Sequence, residues 1–378
     1  MKVQGIRNFR NIAFFYHGSI YSKFSGESIY LSTIISSLKK KFNLVLIDGT
    51  PYVNFRKNDS KIYQMVLAYS RFLRFFIDER KMAKEQRTAV FISEDLYISI
   101  LILPLAKFSR VKFVYRPSDV GKDYRIALSK MHFLPALFYS FTYFSELVLL
   151  DFSDFFISES PKITDYLTGY GIKKEDILYF PFIVNDKITF EKNKVDKFKA
   201  RYSLQEKIVV VFVGSPKYPP NLESIIFIIK LAKKLENMRD FVFLIAGKGT
   251  EDVDAVLPEN LIILGAVDDL DTVLFSSHIG ISPSLVPGGL ITKVVDYLVH
   301  GLLVLSTEEG ASGIIENDHL VISDRNNFAD KLKEISVNLK NGKMEVGTIP
   351  EIVRKTYLDE TYPELFADLL YKRLAEFT

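Results

Sequence analysis

The alternation of short apolar runs with longer segments of helical periodicity is the feature that most constrains the fold of this chain. In the first half, residues 12–16 and 111–115 are such runs, and residues 28–41 place apolar side chains on one side of a helix. Strands that alternate with helices are typical of βαβ units and of a parallel sheet. Nearly continuous apolar strands are expected where helices cover both faces of that sheet. We therefore predict an α/β fold.

The same pattern starts again in the second half of the chain. Residues 208–213 form an apolar run that ends at Gly214, and a lysine-rich segment over residues 185–207 separates the two halves. A chain of 378 residues is long enough for two domains. We predict two doubly wound, Rossmann-like domains that face each other across a cleft, with ligands beyond the carboxyl ends of the strands. The predicted domains are residues 1–186 and residues 187–354, and a final helix over residues 355–378 is expected to pack back on the first domain.

The composition excludes several kinds of site. The chain has no cysteine, so disulfides and thiolate metal sites are absent, and its five histidines show no spacing that suggests a metal pair. The formal net charge of +3 gives no strong field for binding a polyanion such as a nucleic acid. We predict a protein that needs neither a metal nor a cofactor and that has no nucleic-acid partner.

One segment is long enough to be considered as a membrane span. Residues 131–150 are largely apolar but contain Pro135 and Glu146. A charged side chain at membrane depth is costly, so we expect a buried or interfacial helix instead. Residues 1–11 are polar and basic, and no apolar run with a cleavage site follows them, so no signal peptide is expected. These observations predict a cytoplasmic protein.

A glycine pair followed by a helix is the clearest candidate for a binding motif. Gly288 and Gly289 follow a predicted strand, and the helix after them carries Lys293 in its first turns and Asp296 one turn later. Amide groups at the start of a helix attract an anion, and a lysine there adds positive charge. A carboxylate one turn on can accept hydrogen bonds from a ribose diol. The pattern predicts a nucleotide diphosphate site; the alternative is a turn followed by a surface lysine and aspartate.

Several further segments extend this motif into a resemblance to a known family. From about residue 208 to residue 313, the chain resembles the C-terminal donor domain of glycosyltransferase family 4. The matching segments are Phe-Val-Gly-Ser (212–215), Pro-Pro-Asn (219–221), Ile-Ala-Gly-Lys-Gly (245–249), Ile-Leu-Gly-Ala-Val (263–267), Ile-Ser-Pro-Ser (281–284), Lys-Val-Val-Asp-Tyr-Leu (293–298), His-Gly-Leu-Leu-Val-Leu-Ser-Thr (300–307) and Gly-Ala-Ser-Gly-Ile (310–314). Their order and spacing fit the family together, which is more specific than any one segment.

The resemblance implies the GT-B fold and a role for each matching residue. It places Lys293 against the leaving diphosphate and Asp296 on the ribose of the donor. The other residues implied to bind the donor are Gly214 and Ser215 at the diphosphate, Val267 beside the base, and Gly288, Gly289, Leu290 and Ile291 through their backbone at the phosphates.

The chain departs from the family's pattern at two of these positions. Gly288 stands where the family has the first of two acids spaced eight residues apart, and Ser215 stands where it has an arginine. Lys217 is close enough in sequence to replace the charge of that arginine. We therefore include Lys217 with Lys293 as a candidate catalytic residue.

The first half resembles the family more weakly. Gly26 comes just before a predicted helix, where the family has a glycine that touches the diphosphate, and Asp119 follows a strand where the family often has a His-Asp pair. We name Gly26 as a donor-binding residue and Asp119 as a third catalytic residue. The alternative for Asp119 is a helix cap or a loop residue.

The resemblance implies a retaining glycosyltransferase of the hexosyltransferase type, whose donor is a nucleotide-diphosphate sugar. Two other classes stay open: a nucleotide-sugar 2-epimerase of the same two-domain shape, and a non-catalytic relative that binds a nucleotide sugar. Aromatic and basic residues alternate in residues 69–76 and 130–144. They are either packed helices or a membrane-surface face that brings the enzyme, at the inner face of the membrane, to a lipid-linked glycan as acceptor.

Overall fold

The fold was obtained as a computed structural model, which describes residues 11–16, 26–48, 90–94, 96–117, 134–184, 188–359 and 361–376. The chain divides into two compact units. The first unit is Met1–Ile183 together with Glu360–Thr378, and the second is Val184–Asp359. The C-terminal residues therefore belong to the unit that begins the chain.

Each unit is built around one parallel sheet with six strands in the described part of the chain. The strands are β1 (Asn11–Tyr16), β2 (Asn43–Asp48), β3 (Val90–Ser93), β4 (Lys112–Tyr115), β5 (Phe155–Ser158), β6 (Ile177–Tyr179), β7 (Ile208–Val213), β8 (Phe241–Ala246), β9 (Leu261–Gly265), β10 (Ile279–Ser282), β11 (Leu303–Ser306) and β12 (Leu320–Ile322). The spatial orders are β2-β1-β3-β4-β5-β6 and β12-β11-β10-β7-β8-β9.

The helices alternate with these strands along the chain. They are α1 (Gly26–Lys39), α2 (Leu96–Ser109), α3 (Leu134–Phe152), α4 (Pro161–Tyr170), α5 (Lys192–Arg201), α6 (Pro219–Lys234), α7 (Leu270–Phe275), α8 (Thr292–Val299), α9 (Phe328–Lys340), α10 (Glu351–Tyr357) and α11 (Tyr362–Ala375). Short 3-10 turns cover Lys174–Asp176, Thr250–Asp252, Glu309–Ala311 and Arg325–Asn327. The predicted α/β fold of two doubly wound sheets is confirmed, whereas the predicted cleft between the domains stays a prediction.

The central strands are buried because helices cover the sheets. Every residue of β3, β5, β10 and β11 is buried. In the second unit, apolar residues of β7, β8 and β10 pack with those of α6 and α9 in one cluster. The continuous apolar runs in the sequence therefore correspond to strands that are shielded from water.

The C-terminal helix α11 packs on the first unit. Ser37 of α1 donates a hydrogen bond to the carbonyl oxygen of Pro363, and the Arg373 guanidinium lies 2.9 Å from an Asp176 carboxylate oxygen. Phe366 packs against Phe180, with ring centroids 4.4 Å apart. Residues beyond the second unit thus complete the apolar packing of the first.

Helix α3 covers most of the segment that was considered as a membrane span. Glu146 is buried in it and accepts a hydrogen bond from the Tyr166 hydroxyl at 2.8 Å. Within the described ranges, no helix combines the length and apolarity that crossing a membrane requires.

The second unit contains a histidine that is held in its neutral form. His278 stands just before β10, and its Nδ1 accepts a hydrogen bond from the Val209 amide at 3.1 Å. Burial, with a smaller contribution from the Lys199 charge, lowers the pKa of His278 to about 4. Because an unfolded histidine titrates at about 6.5, the unfolded chain binds more protons between these two pH values. The free energy of unfolding therefore falls as the pH drops from about 6.5 towards about 4.

We predict that His278→Asn removes this pH dependence, because the asparagine oxygen can accept the same hydrogen bond without titrating. On lowering the pH from about 7.5 to about 5, the wild type should lose about 2 kcal/mol more unfolding free energy than the variant. Urea unfolding followed by circular dichroism measures both losses. An equal loss in the two proteins would contradict the assignment to His278.

Candidate functional site

The carboxyl ends of β7 and β10 lie at the point where the strand order of the second sheet reverses. The chain runs from β7 outwards to β9 and then returns to β10 on the other side of β7. These two strands pair only at Ile279 with Val210 and Gly280 with Val211, so their carboxyl ends are not bonded to each other. A crevice at such a reversal is where ligands bind in open α/β sheets.

Helix α8 packs against the gap between β7 and β10 through Tyr297. The Tyr297 hydroxyl accepts a hydrogen bond from the Val213 amide at 2.8 Å, in place of a partner on β10. The Tyr297 ring lies on Gly280, where an added Cβ would come within 2.2 Å of the ring. Gly280 is therefore required by this packing, and α8 is fixed against β7.

Lys293 lies in the first turn of α8. Its Nζ donates a hydrogen bond to Oδ1 of Asn221 at 2.6 Å and sits 4.3 Å from the centroid of the Phe212 ring. The side chain is half-buried and makes no ion pair with any carboxylate of the described residues. Burial lowers the pKa of Lys293 to about 7. Lys293 is therefore charged in part of the molecules near neutral pH, and no carboxylate of the described residues pairs with that charge.

Asn221 connects Lys293 to the turn after β7. It is the third residue of α6, and its Nδ2 donates to the Ser215 carbonyl oxygen at 3.1 Å. A Cβ on Gly214 would come within 2.8 Å of the Asn221 side chain. The asparagine was visible in the sequence only as part of the Pro-Pro-Asn segment, and its contact with Lys293 was not predicted.

The turn before α8 is held by the segment after β11. The Ser312 hydroxyl donates to the Gly288 carbonyl oxygen, and the Ile291 amide donates to the Ser312 carbonyl oxygen at 3.2 Å. Gly313 has a positive φ of 75°, and a Cβ there would come within 2.1 Å of the Gly289 carbonyl oxygen. The residue at the start of α8, Ile291, provides no side-chain cap. The predicted residues Gly288, Gly289, Leu290 and Ile291 therefore lie in one anchored turn that leads into the helix of Lys293.

Asp296 lies one turn after Lys293 on α8. Its carboxylate is half-buried and has no hydrogen-bond partner in the described part of the chain. Burial raises the pKa of Asp296 to about 6, although the nearby His300 opposes the rise. The His300 ring is held between the Asp296 carbonyl oxygen, 2.7 Å from Nδ1, and the Asp271 carboxylate, 3.0 Å from Nε2. An ionised Asp296 can therefore still accept hydrogen bonds from a ligand.

The remaining predicted residues of this unit follow strand ends at the same edge of the sheet. Gly214 and Ser215 follow β7, and the Ser215 hydroxyl donates to the Lys248 carbonyl oxygen after β8 at 2.9 Å. Val267 is half-buried and stands two residues after β9. Lys217 is exposed, and its ammonium makes no ion pair within the residues described. The structure therefore joins Ser215 to Lys293 through Asn221. Lys217 contacts this network through its backbone amide, which donates to the Ser215 hydroxyl at 3.4 Å, and not through its ammonium.

Two of the predicted site residues, Gly26 and Asp119, belong to the first unit. Gly26 is the first residue of α1, and Asp119 lies outside the described residues. Their roles stay predictions.

A buried charge cluster that the sequence did not reveal lies at the carboxyl edge of the first sheet. Glu94, Arg116 and Glu159 directly follow β3, β4 and β5. The Arg116 guanidinium donates to Glu94 at 3.0 Å and to Glu159, and it lies 4.5 Å from the centre of the Tyr30 ring. All three charged groups are buried, so the cluster fixes strand ends and α1 to one another.

The Tyr297 hydroxyl is expected to stabilise the second unit. In Tyr297→Phe the Val213 amide loses its acceptor at a site that water reaches poorly, which should cost about 1–3 kcal/mol. Urea unfolding measures the difference, with Tyr371→Phe as a control because that tyrosine is partly exposed on α11. Equal stability of Tyr297→Phe and the wild type would contradict the role given to this hydrogen bond.

Comparison with known proteins supports one functional class. Residues 207–338 match the family described as "Glycosyl transferases group 1". This stretch contains all six strands of the second sheet and every predicted donor-binding residue of that unit. No curated protein sequence is similar enough to count as a match.

Three solved structures share the fold over nearly the whole chain. Sucrose-phosphate synthase from Thermosynechococcus elongatus is 13% identical, with a TM-score of 0.73 over 98% of this chain and 100% of its own. HepE from Anabaena, in complex with UDP-glucose, is 13% identical, with a TM-score of 0.67 over 96% and 99%. The lipopolysaccharide outer core galactosyltransferase WaaB is 14% identical, with a TM-score of 0.60 over 96% and 99%. The predicted GT-B fold is confirmed, and the family match and the fold together support a glycosyltransferase.

Proposed function

We propose that this protein is a glycosyltransferase that moves a sugar from a nucleotide-diphosphate sugar to an acceptor hydroxyl. The observation that carries the proposal is that Lys293, which pairs with no carboxylate of the described residues, lies one helical turn from the half-buried Asp296 carboxylate. Lys293 supplies the cation for a diphosphate, and Asp296 supplies the acceptor for the ribose hydroxyls. The likeness to HepE in complex with UDP-glucose supports a nucleotide sugar as the donor.

Electrostatic stabilisation of the leaving group is the main catalytic contribution on this proposal. The bond between the sugar C1 and the diphosphate oxygen breaks, and a bond forms between C1 and the acceptor oxygen. Negative charge grows on the departing nucleoside diphosphate, and the Lys293 ammonium and the amides at the start of α8 stabilise it. Ser215 and Lys217 follow β7 and would add polar and positive groups on the other side of the diphosphate.

The resemblance to glycosyltransferase family 4 supports retention of the anomeric configuration. The acceptor then enters on the face from which the diphosphate leaves, and a phosphate oxygen takes the proton of the acceptor hydroxyl. The reaction needs no resident metal or cofactor. Gly26 and Asp119 are the residues that we propose for the first unit, at the diphosphate and at the acceptor respectively.

A lipid-linked glycan is the acceptor that we propose. Helix α3 of the first unit exposes two large aromatic side chains, Phe144 at 65% and Phe152 at 56%. Helix α3 itself carries no lysine or arginine, and the basic residues of this proposal are those that lie among aromatic ones in residues 69–76 and Lys130 before the helix. Aromatic side chains together with basic ones favour the surface of a membrane with anionic lipids. On this proposal the enzyme works in glycan biosynthesis at the cytoplasmic face of the membrane, as a peripheral protein.

Replacing the proposed catalytic lysine should abolish most of the activity. We expect Lys293→Ala to lower the turnover of the correct nucleotide sugar by about a hundredfold or more, because the growing charge loses its main electrostatic partner. Turnover of a panel of nucleotide sugars measures this, with Lys230→Ala as the matched control because Lys230 is exposed on α6. Near-normal turnover in Lys293→Ala would contradict the assignment. Formation of an epimer would instead indicate a nucleotide-sugar 2-epimerase. Binding without any reaction would indicate a non-catalytic relative.

Diphosphate binding should also change the protonation of Lys293. Because the pKa of Lys293 is about 7 in the ligand-free protein, the side chain is mostly neutral at about pH 8, and a bound diphosphate favours the charged form. Asp296, whose pKa is about 6, is already ionised at that pH and contributes little. We expect uptake of about one proton per UDP bound. Titration calorimetry in buffers of different ionisation enthalpy measures this proton uptake. The same uptake in Lys293→Met would contradict its assignment to Lys293.

A further inference from the structure

The partner that holds Lys293 is a neutral amide, although a carboxylate is the usual partner of a half-buried lysine. Oδ1 of Asn221 accepts from the Lys293 Nζ at 2.6 Å, and Nδ2 of the same amide donates to the Ser215 carbonyl oxygen at 3.1 Å. The amide has one donor end and one acceptor end, and its donor nitrogen is used by the bond to Ser215. The oxygen is therefore turned towards the ammonium.

The surroundings leave Asn221 little freedom to turn away. Gly214 packs against the amide so closely that a Cβ would come within 2.8 Å of it. Pro219 and Pro220 open α6 directly before Asn221, and their fixed φ angles restrict the backbone at the start of the helix. The position of the amide oxygen is therefore set before any ligand arrives.

The second neighbour of the ammonium is also uncharged. Its Nζ lies 4.3 Å from the centroid of the Phe212 ring, at a distance where the face of an aromatic ring attracts a cation. Neither the ring nor the amide carries a negative charge that would neutralise the lysine. Both fix where the ammonium sits and leave its full positive charge to act on a ligand.

We propose that Asn221 is a positioning residue of the donor site. It holds the Lys293 ammonium in place without neutralising its charge, and this charge makes the site selective for a diphosphate. This inference rests on the proposed function. It assigns to Asn221 a role that an aspartate of the same size could not fill, because an aspartate would form an ion pair with Lys293 and would repel the phosphates.

The test compares Asn221→Asp with the wild type in the ligand-free protein. The added carboxylate favours the charged form of Lys293, so we expect the midpoint of its titration to rise by about two pH units or more. NMR spectra of protein with carbon-13-labelled lysine follow this titration, and Lys293→Met identifies the signal. Asn193→Asp is the matched control, since it makes the same change of charge at an exposed position on α5.

UDP affinity is the second measurement. We expect Asn221→Asp to weaken UDP binding by about a hundredfold, because the pocket loses its net positive charge, and Asn193→Asp to leave it unchanged. Asn221→Ala, which removes the hydrogen bond but adds no charge, should weaken UDP binding by about tenfold and leave the titration of Lys293 below about pH 9. A purely structural role would give similar losses in both variants and would not raise the titration midpoint in Asn221→Asp.

These outcomes separate the inference from the proposed function. If the wild type binds no nucleotide, the proposed function fails, while the ligand-free titration still decides whether Asn221 controls the charge of Lys293. If the wild type binds UDP but Asn221→Asp alters neither the titration nor the affinity, the inference is overturned. Should Asn221→Asp not fold, Asn221→Ala with unchanged UDP affinity would overturn it as well.

Discussion

The site depends on the hydrogen bond between Asn221 and the Lys293 ammonium, a group that is partly withdrawn from water and pairs with no carboxylate in the described part of the chain. Burial alone lowers the pKa of Lys293 to about 7, so the protein holds the charged form at a cost that an arriving anion can offset. A preorganised cation of this kind needs no rearrangement when charge develops on a ligand, which is what makes such groups effective in catalysis.

The gap between β7 and β10 makes this arrangement possible. If the two strands stayed paired to their ends, α8 could not approach β7, and Lys293 would not reach Asn221. Gly280 would by itself weaken a strand, because it brings no side chain to the core. Because Gly280 has no Cβ, the Tyr297 ring can pack directly on the strand, and the Tyr297 hydroxyl then accepts a hydrogen bond from the Val213 amide. A local weakness in β10 thus supports the geometry of the site.

The sequence predicts correctly those features whose residues lie close together along the chain. Apolar runs identify the strands, and the glycine pair with Lys293 and Asp296 identifies the helix start, because all these residues lie within a few positions of one another. Asn221 was missed as a functional residue because its partner lies 72 residues away, and only the strand order brings the two together. The same holds for Arg116, whose carboxylate partners are 22 and 43 residues away on neighbouring strand ends.

Where this chain differs from the glycosyltransferase family 4 pattern that it resembles, the proposed donor site depends more on Lys293 and Asn221. Ser215 stands where that pattern has an arginine, and Gly288 stands where it has an acid. The turn at Gly288 is instead anchored through its backbone by the Ser312 hydroxyl. Lys217 is exposed after β7, so among the described residues the half-buried positive charge beside this turn comes from Lys293, which Asn221 links to the Ser215 carbonyl oxygen. A negative charge at position 221 would place a carboxylate beside Lys293 and would cancel the positive charge that this lysine offers to a diphosphate.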